Sequence, residues 1–355
     1  MSDNQEIKKQ YFYQEWLSSQ GIPVIESYFV EDVYSLELEP WESKGGKGAM
    51  LNLVGTGESN DAYVCEIAPG KNLKPERHMY EELIYILRGS GATTVWTDGS
   101  SKQTFEWQEG SLFAPPLNAW HEMHNGQGNA PARFLAVTCA PLVMNLYHNL
   151  EFVFDNPFVF RDRYKADAEY FSGKGTMHMG RVWESNFIAD VQGFKLLEWK
   201  ERGGGGKTVH FELSENTMAA HSSEFEVGSY KKAHRHGPGA HVLILTGRGF
   251  SLMWPEGEKK MRCDWKPGSI IVPPEMWWHQ HFNSGNTPAR YLALRWDSRK
   301  HYFPLSQTED MMKDSRDGGN QIEYEAEDPE IHRIFEQELS RAGAQSRMGE
   351  YFKRA

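Results

Sequence analysis

Apolar positions along the chain gather into short runs cut by Gly, Pro, Asn and Asp. "ELIYIL" (82–87), "ATTVW" (92–96), "SLFAPP" (111–116) and "ARFLAV" (132–137) are examples. Runs of this length between turn formers predict antiparallel strands of a sandwich or barrel, not βαβ units. The pattern then repeats. Residues 109–137 and 267–294 align at an offset of 158, which pairs Gly110 with Gly268, Pro116 with Pro274, His121 with His279 and Asn125 with Asn283. The same offset relates 80–96 to 238–254 and Trp107 to Trp265. A period this long marks a duplicated domain. Near the end the period changes. Asp328 and Pro329 give a helix start, Ile331, Ile334, Phe335 and Leu339 fall on one face, and Gly343 gives the stop.

Composition narrows the class. The 355 residues are 25% charged and 39% hydrophobic, an ordinary globular balance. A net charge of −11 argues against a nucleic-acid partner. The best membrane candidate, "FLAVTCAPLVMNLYH" (134–148), is broken by Pro141, so no membrane partner is expected. "MSDNQEIKKQ" lacks the apolar core of a leader, and Cys65, Cys139 and Cys263 are too few and too scattered for a disulfide framework. The expectation is a cytoplasmic protein.

The chemistry lies in "YKKAHRHGPGAHVLILTGRGFSLMW" (230–254). His234 and His236, two apart on an extended chain, point to one face. His279 follows 43 residues after His236, and His121 follows His78 by the same interval. Three inward imidazoles make a facial set that leaves metal positions open.

With those residues in view, both copies resemble cupin domains, small jelly-roll barrels marked by two motifs. The second copy has Gly228, His234-x-His236 and Gly247, then Gly268, Pro274, His279 and Asn283. The first has Gly70, Glu76-x-His78, Glu82 and Gly89, then Gly110, Pro116, His121 and Asn125. Asn118 and Met276 replace the motif's second glycine. The implied fold is all-β, with two tandem cupin barrels and a C-terminal helix. Its parts are an N-terminal arm (1–50), cupin domain 1 (51–150), a connecting segment (151–205) ending in a "GGGG" joint, cupin domain 2 (206–302) and a helical tail (303–355).

The second copy carries Ala240 where the first has Glu82, and with "AHRHGPGAH" and "MWWHQHFN" it resembles the three-histidine gentisate dioxygenase type. That resemblance implies a non-haem Fe(II) dioxygenase taking O2 and a small chelating, hydroxylated aromatic organic acid. The alternative is a metal-binding bicupin without oxygen chemistry: an isomerase, decarboxylase or ligand-sensing accessory holding Mn, Zn or Ni. His234, His236 and His279 are the metal ligands, and His281 is either an acid/base group or a hydrogen-bonded core residue. Glu76, His78, Glu82 and His121 are either a second metal site or a degenerate one that serves fold and dimerisation, with Glu76 paired to Lys74 or Arg77. His241 is out of phase with Ala240 and reads as structural. Trp254, Trp277 and Trp278 are candidates to line an aromatic mouth, and Arg133 and Arg290 to face substrate or solvent. A homodimer or higher oligomer is expected.

Overall fold

The computed structural model describes residues 9–56, 58–308 and 310–352, so most of the N-terminal stretch read for a leader lies outside the described residues. Strands dominate and build two barrels. In the first, Asp61–Ile67, Ala132–Thr138 and Glu82–Arg88 pair antiparallel in a seven-stranded sheet, opposed by Gln103–Gln108, Ser90–Trp96 and Trp120–Asn125. The second repeats this with Met218–Phe225, Ala289–Trp296 and His241–Thr246, opposed by Met261–Trp265, Gly249–Trp254 and Trp278–Asn283. This is the expected all-β tandem-barrel fold, closed by the Pro329–Ala342 helix.

The duplication extends to single hydrogen bonds. Asn125 Nδ2 donates to the carbonyls of Ile67, Ala68 and Ala130, and Asn283 Nδ2 to those of Phe225, Glu226 and Thr287. The Trp107 indole lies on Gly91 and the Trp265 indole on Gly249. A Cβ on either glycine would stand about 2 Å from a carbonyl of the neighbouring strand, so no other residue fits.

The segment before each barrel is built into its twin. Phe29–Val30 pairs with Ile270–Ile271 of the second barrel, and Phe187–Ile188 pairs with Leu112–Phe113 of the first. Arg133 and Arg290 hold these crossings and face no site. Arg133 binds Glu66 and the carbonyls of Val33, Tyr34 and Leu36; Arg290 binds Glu224 and the carbonyls of Val191, Gln192 and Phe194. The "GGGG" stretch is a packed turn, not a loose joint. Gly203, Gly204 and Gly205 all have φ between 58° and 71°, and a Cβ on Gly204 would lie 2.5 Å from the Tyr230 carbonyl.

Alternation along His241–Thr246 separates two cores. Val242 and Ile244 fill the second barrel beside Met253 and Trp265, while Leu243 and Leu245 join Leu292 and Leu294 in a core shared with the first barrel's Leu53, Leu83 and Leu135. His241 takes the outward phase of that strand and is fully buried, away from the ligand set. In the tail, Asp328 caps the helix on the Glu330 N–H and Gly343 ends it at φ 68°. Ile331, Phe335 and Leu339 pack with Tyr230, Phe250 and Phe282.

Candidate metal centres

In the second barrel His234 and His279 are cross-strand neighbours, each donating its backbone N–H to the other's carbonyl at 3.0 and 2.8 Å. That pairing sets their rings 4.1 Å apart, and His236 joins at 5.4 and 4.8 Å. One nitrogen of each ring lies within 4.8 Å of the others, and all three residues are buried. His236 Nδ1 meets the Gly237 carbonyl at 2.7 Å, and His279 Nδ1 meets that of Trp277 at 3.0 Å. A ring N–H on a carbonyl leaves Nε2 as a lone pair, the form a metal takes. His234 Nδ1 instead receives a guanidinium N–H of Arg202 at 2.5 Å. Burial, with Arg202 and Arg295 beside it, pushes His279 down to about 3, and burial likewise holds His234 and His236 well below the ordinary imidazole range. All three are neutral at physiological pH.

The electrostatic setting is cationic. Arg202 and Arg295 are both buried at the pocket, and neither hydrogen-bonds a carboxylate: Arg202 reaches Gln321 Oε1 at 3.0 Å, Arg295 the Ser306 carbonyl at 3.3 Å. Ala240 lies where a ligand carboxylate would stand. The acid in the pocket, Asp297, accepts from His210 Nδ1 and His221 Nδ1, each at 3.0 Å. These flanking groups went unseen in the sequence because they repeat nothing in the first copy. His210 and His221 face each other across one strand pair, and Asp297 follows the end of another. The space left among the side chains is about 30 Å³.

His281 lines the same pocket, its ring 5.8 Å from that of His279. Trp265 Nε1 donates to Ser251 Oγ at 3.1 Å, and Ser251 Oγ lies 2.7 Å from His281 Nδ1. The serine hydroxyl thus fixes the His281 ring at Nδ1 and leaves its other nitrogen, Nε2, without a hydrogen bond among the described residues. The tryptophans do not line this pocket. Trp277 stacks on Tyr28, Trp278 donates to Glu256, and Trp254 packs in the cluster of the tail helix.

The first barrel brings His78, Glu82 and His121 together by the same cross-strand pairing, here between Glu76 and His121. His78 Nε2 and His121 Nε2 stand 3.4 and 3.6 Å from Glu82 Oε2. All three atoms are buried without a hydrogen bond. His78 Nδ1 is bound to the Tyr80 carbonyl at 2.8 Å, so its Nε2 is a lone pair facing a carboxylate. A cation between them is the partner that arrangement lacks, and the donor set suits Mn, Fe or Zn. Glu76 is shared: its Oε1 pairs with Lys44 Nζ at 2.5 Å, not with Lys74 or Arg77, and also stands 3.5 Å from His121 Nε2. Burial raises the Glu76 carboxyl, but Lys44 and His121 outweigh it and hold it at about 2, while the two carboxylates lift His121 to about 9 against its own burial.

The offset of 158 maps Lys44 onto Arg202 and Glu76 onto His234. Each barrel therefore sets a buried cation from its preceding segment on the first ligand position. Lys44 is neutralised there; Arg202 is not.

Comparison with known proteins agrees with this geometry. Residues 63–138 match the Cupin domain family. Over 67 residues the chain is 34% identical to gentisate 1,2-dioxygenase from a Ralstonia species, a stretch covering 19% of this chain and 18% of that enzyme. The chain thus spans less than a fifth of that relative's length. Among solved structures it is similar to an oxalate decarboxylase, with TM-score 0.51, 16% identity and 79% of each chain covered. It is also similar to a deletion mutant of the Bacillus subtilis oxalate decarboxylase, with TM-score 0.50, 16% identity and 77% and 78% covered. At those identities the likeness is one of fold. Residues 63–138 thus carry a cupin domain, and the tandem-barrel fold of the chain is like that of the oxalate decarboxylase structures.

Proposed function

We propose that the second barrel is the active site of a non-haem Fe(II)-dependent dioxygenase acting on a small chelating organic acid. One observation carries the reading: three neutral histidines with no carboxylate in their cluster, flanked by Arg202 and Arg295, which hydrogen-bond no carboxylate among the described residues. The pocket's own acid, Asp297, is engaged by His210 and His221, so the three-histidine cluster has no anion of its own, and a chelating acid supplies one. His234, His236 and His279 would hold the metal, with Arg202 giving up the Nδ1 of His234 when it binds. Bound iron supplies coordination positions for acid and O2 and the electrons for oxygen chemistry.

The chain's own groups do the rest. The guanidiniums of Arg202 and Arg295 bind and orient the carboxylate. His281, held at Nδ1 by Ser251, which Trp265 holds in turn, lines the pocket and passes a proton to or from an oxygen where charge develops. In this reading the first barrel holds a second, supporting metal at His78, Glu82 and His121, and the chain forms a homodimer or higher oligomer.

The size of the pocket favours one other reading. About 30 Å³ accommodates water-sized groups as the side chains stand, so an acid of two or three carbons displaces the least. Non-oxidative decarboxylation of such an acid, with Mn in place of Fe, matches the name of the solved structures with this fold. Metal analysis of protein purified without air, followed by O2 and CO2 measurement on a panel of small dicarboxylic and hydroxylated aromatic acids, separates the two. O2 consumption with iron present supports the dioxygenase. CO2 release without O2 consumption replaces it with the decarboxylase.

A further inference from the structure

The first barrel holds a cavity of about 250 Å³ beside, not within, its own ligand set. Its walls come largely from the N-terminal arm. Trp16 of the Phe12–Ser19 helix and Trp41 of the Glu39–Trp41 strand meet Tyr63, Tyr80 and Phe154 around the space. Trp41 and Tyr63 stand edge to face at 5.2 Å, and Trp16 stacks near Phe154 at 5.9 Å. Trp41 can take this place because Gly48 has no side chain; a Cβ there would lie 2.4 Å from the indole.

The polar end of the cavity is unsaturated. Lys44 Nζ is buried with three donors and makes one hydrogen bond among the described residues, to Glu76 Oε1, while facing the rings of Trp41 and Tyr63 at 5.2 and 4.8 Å. Glu76 Oε2 and the Tyr80 hydroxyl, on two other lining residues, have no hydrogen-bond partner among the described residues. The pair Lys44–Glu76 cancels in charge yet leaves donors on one side and an acceptor on the other. A carboxylate would meet Glu76, and an ammonium would meet Lys44. A neutral aromatic hydroxyl suits both, donating to Glu76 Oε2 and accepting from Lys44 or Tyr80, with its ring among the aromatic walls.

We infer that the first barrel binds a small neutral phenol in this cavity. The inference does not rest on the reading of the second barrel.

The test is calorimetric titration of the full-length protein with 4-methylphenol, with benzoate and benzylamine as charged counterparts. One saturable site per chain is expected, with each charged analogue binding at least tenfold more weakly. Lys44→Met and Tyr80→Phe should each weaken binding about tenfold. Ala140→Leu, which fills the cavity without touching a charge, should abolish it and covers the case in which Lys44→Met fails to fold. His236→Ala should leave the titration unchanged, which keeps this outcome separate from any failure of the dioxygenase reading. The proposal is overturned if 4-methylphenol does not saturate, if either charged analogue binds more tightly, if Ala140→Leu binds normally, or if His236→Ala removes binding.

Discussion

The substitution Ala240→Glu tests the missing-anion argument directly. Ala240 is buried and lines the second-barrel pocket at the position Glu82 holds in the first. A carboxylate introduced there supplies the negative charge that a bound acid otherwise brings. Placed about 5 Å from a substrate carboxylate, at an effective dielectric of about 20, it costs about 3 kcal/mol of binding. That corresponds to roughly a hundredfold weaker affinity for the acid. The metal should bind at least as well, because a fourth ligand is gained. The extra atoms also need more than the roughly 30 Å³ present, so Arg202 must shift toward solvent or pair with the new carboxylate. The assay has three readouts on one preparation: metal content, acid affinity by calorimetry, and turnover. Retained metal with acid affinity lost a hundredfold is the expected outcome. Retained metal with unchanged acid affinity refutes the idea that a histidine cluster without a carboxylate of its own selects an anion.

The two metal sites should separate by mutation: His236→Ala removes the second-barrel metal and turnover, whereas His78→Ala costs half the bound metal or less, read by elemental analysis. They should also separate by protons. His121, lifted to about 9 by Glu76 and Glu82, is protonated at pH 7.5 and must lose that proton to a metal, while His279, near 3, has none to lose. Calorimetry in two buffers of different ionisation enthalpy should therefore show about one proton released by the His236→Ala protein and near none by His78→Ala. First-barrel affinity should rise with pH up to about 9. The raised His121 also stabilises the metal-free fold below its unfolded value of about 6.5, a contribution lost as pH climbs through 9. His281→Ala should slow turnover by roughly a hundredfold with iron content unchanged, since it moves a proton and holds no metal. Phe335→Ala, emptying a fully buried site between the tail helix and Phe282, should cost about 3–5 kcal/mol in denaturant unfolding while leaving the metal bound.

The repeat made the architecture readable in advance, and with it the clustering of His234, His236 and His279 and of His78, Glu82 and His121, because strand alternation and the His-x-His spacing are local facts that survive folding. What escaped was whatever depends on one segment reaching another. Lys44 and Arg202 lie 32 residues before the ligand positions they touch, and no spacing rule joins an arm lysine to a barrel glutamate. His210, His221 and Asp297 meet only because three strands pair in one register. Arg133 and Arg290 carry the same lesson in reverse. They look like paired site residues in the sequence, and their partners are carbonyls of segments about a hundred residues away. Likewise Trp278 stands one residue before His279, so period two itself turns it away from the pocket.

The central claim is that the second barrel couples a chelating acid to oxygen at iron. An oxygen electrode on protein reconstituted with Fe(II) under anaerobic conditions tests it most directly, with the acid panel added before air. The account predicts O2 consumption in a one-to-one ratio with the acid lost, present in His78→Ala and absent in His236→Ala. No O2 consumption with any acid, or consumption that survives His236→Ala and disappears in His78→Ala, contradicts it.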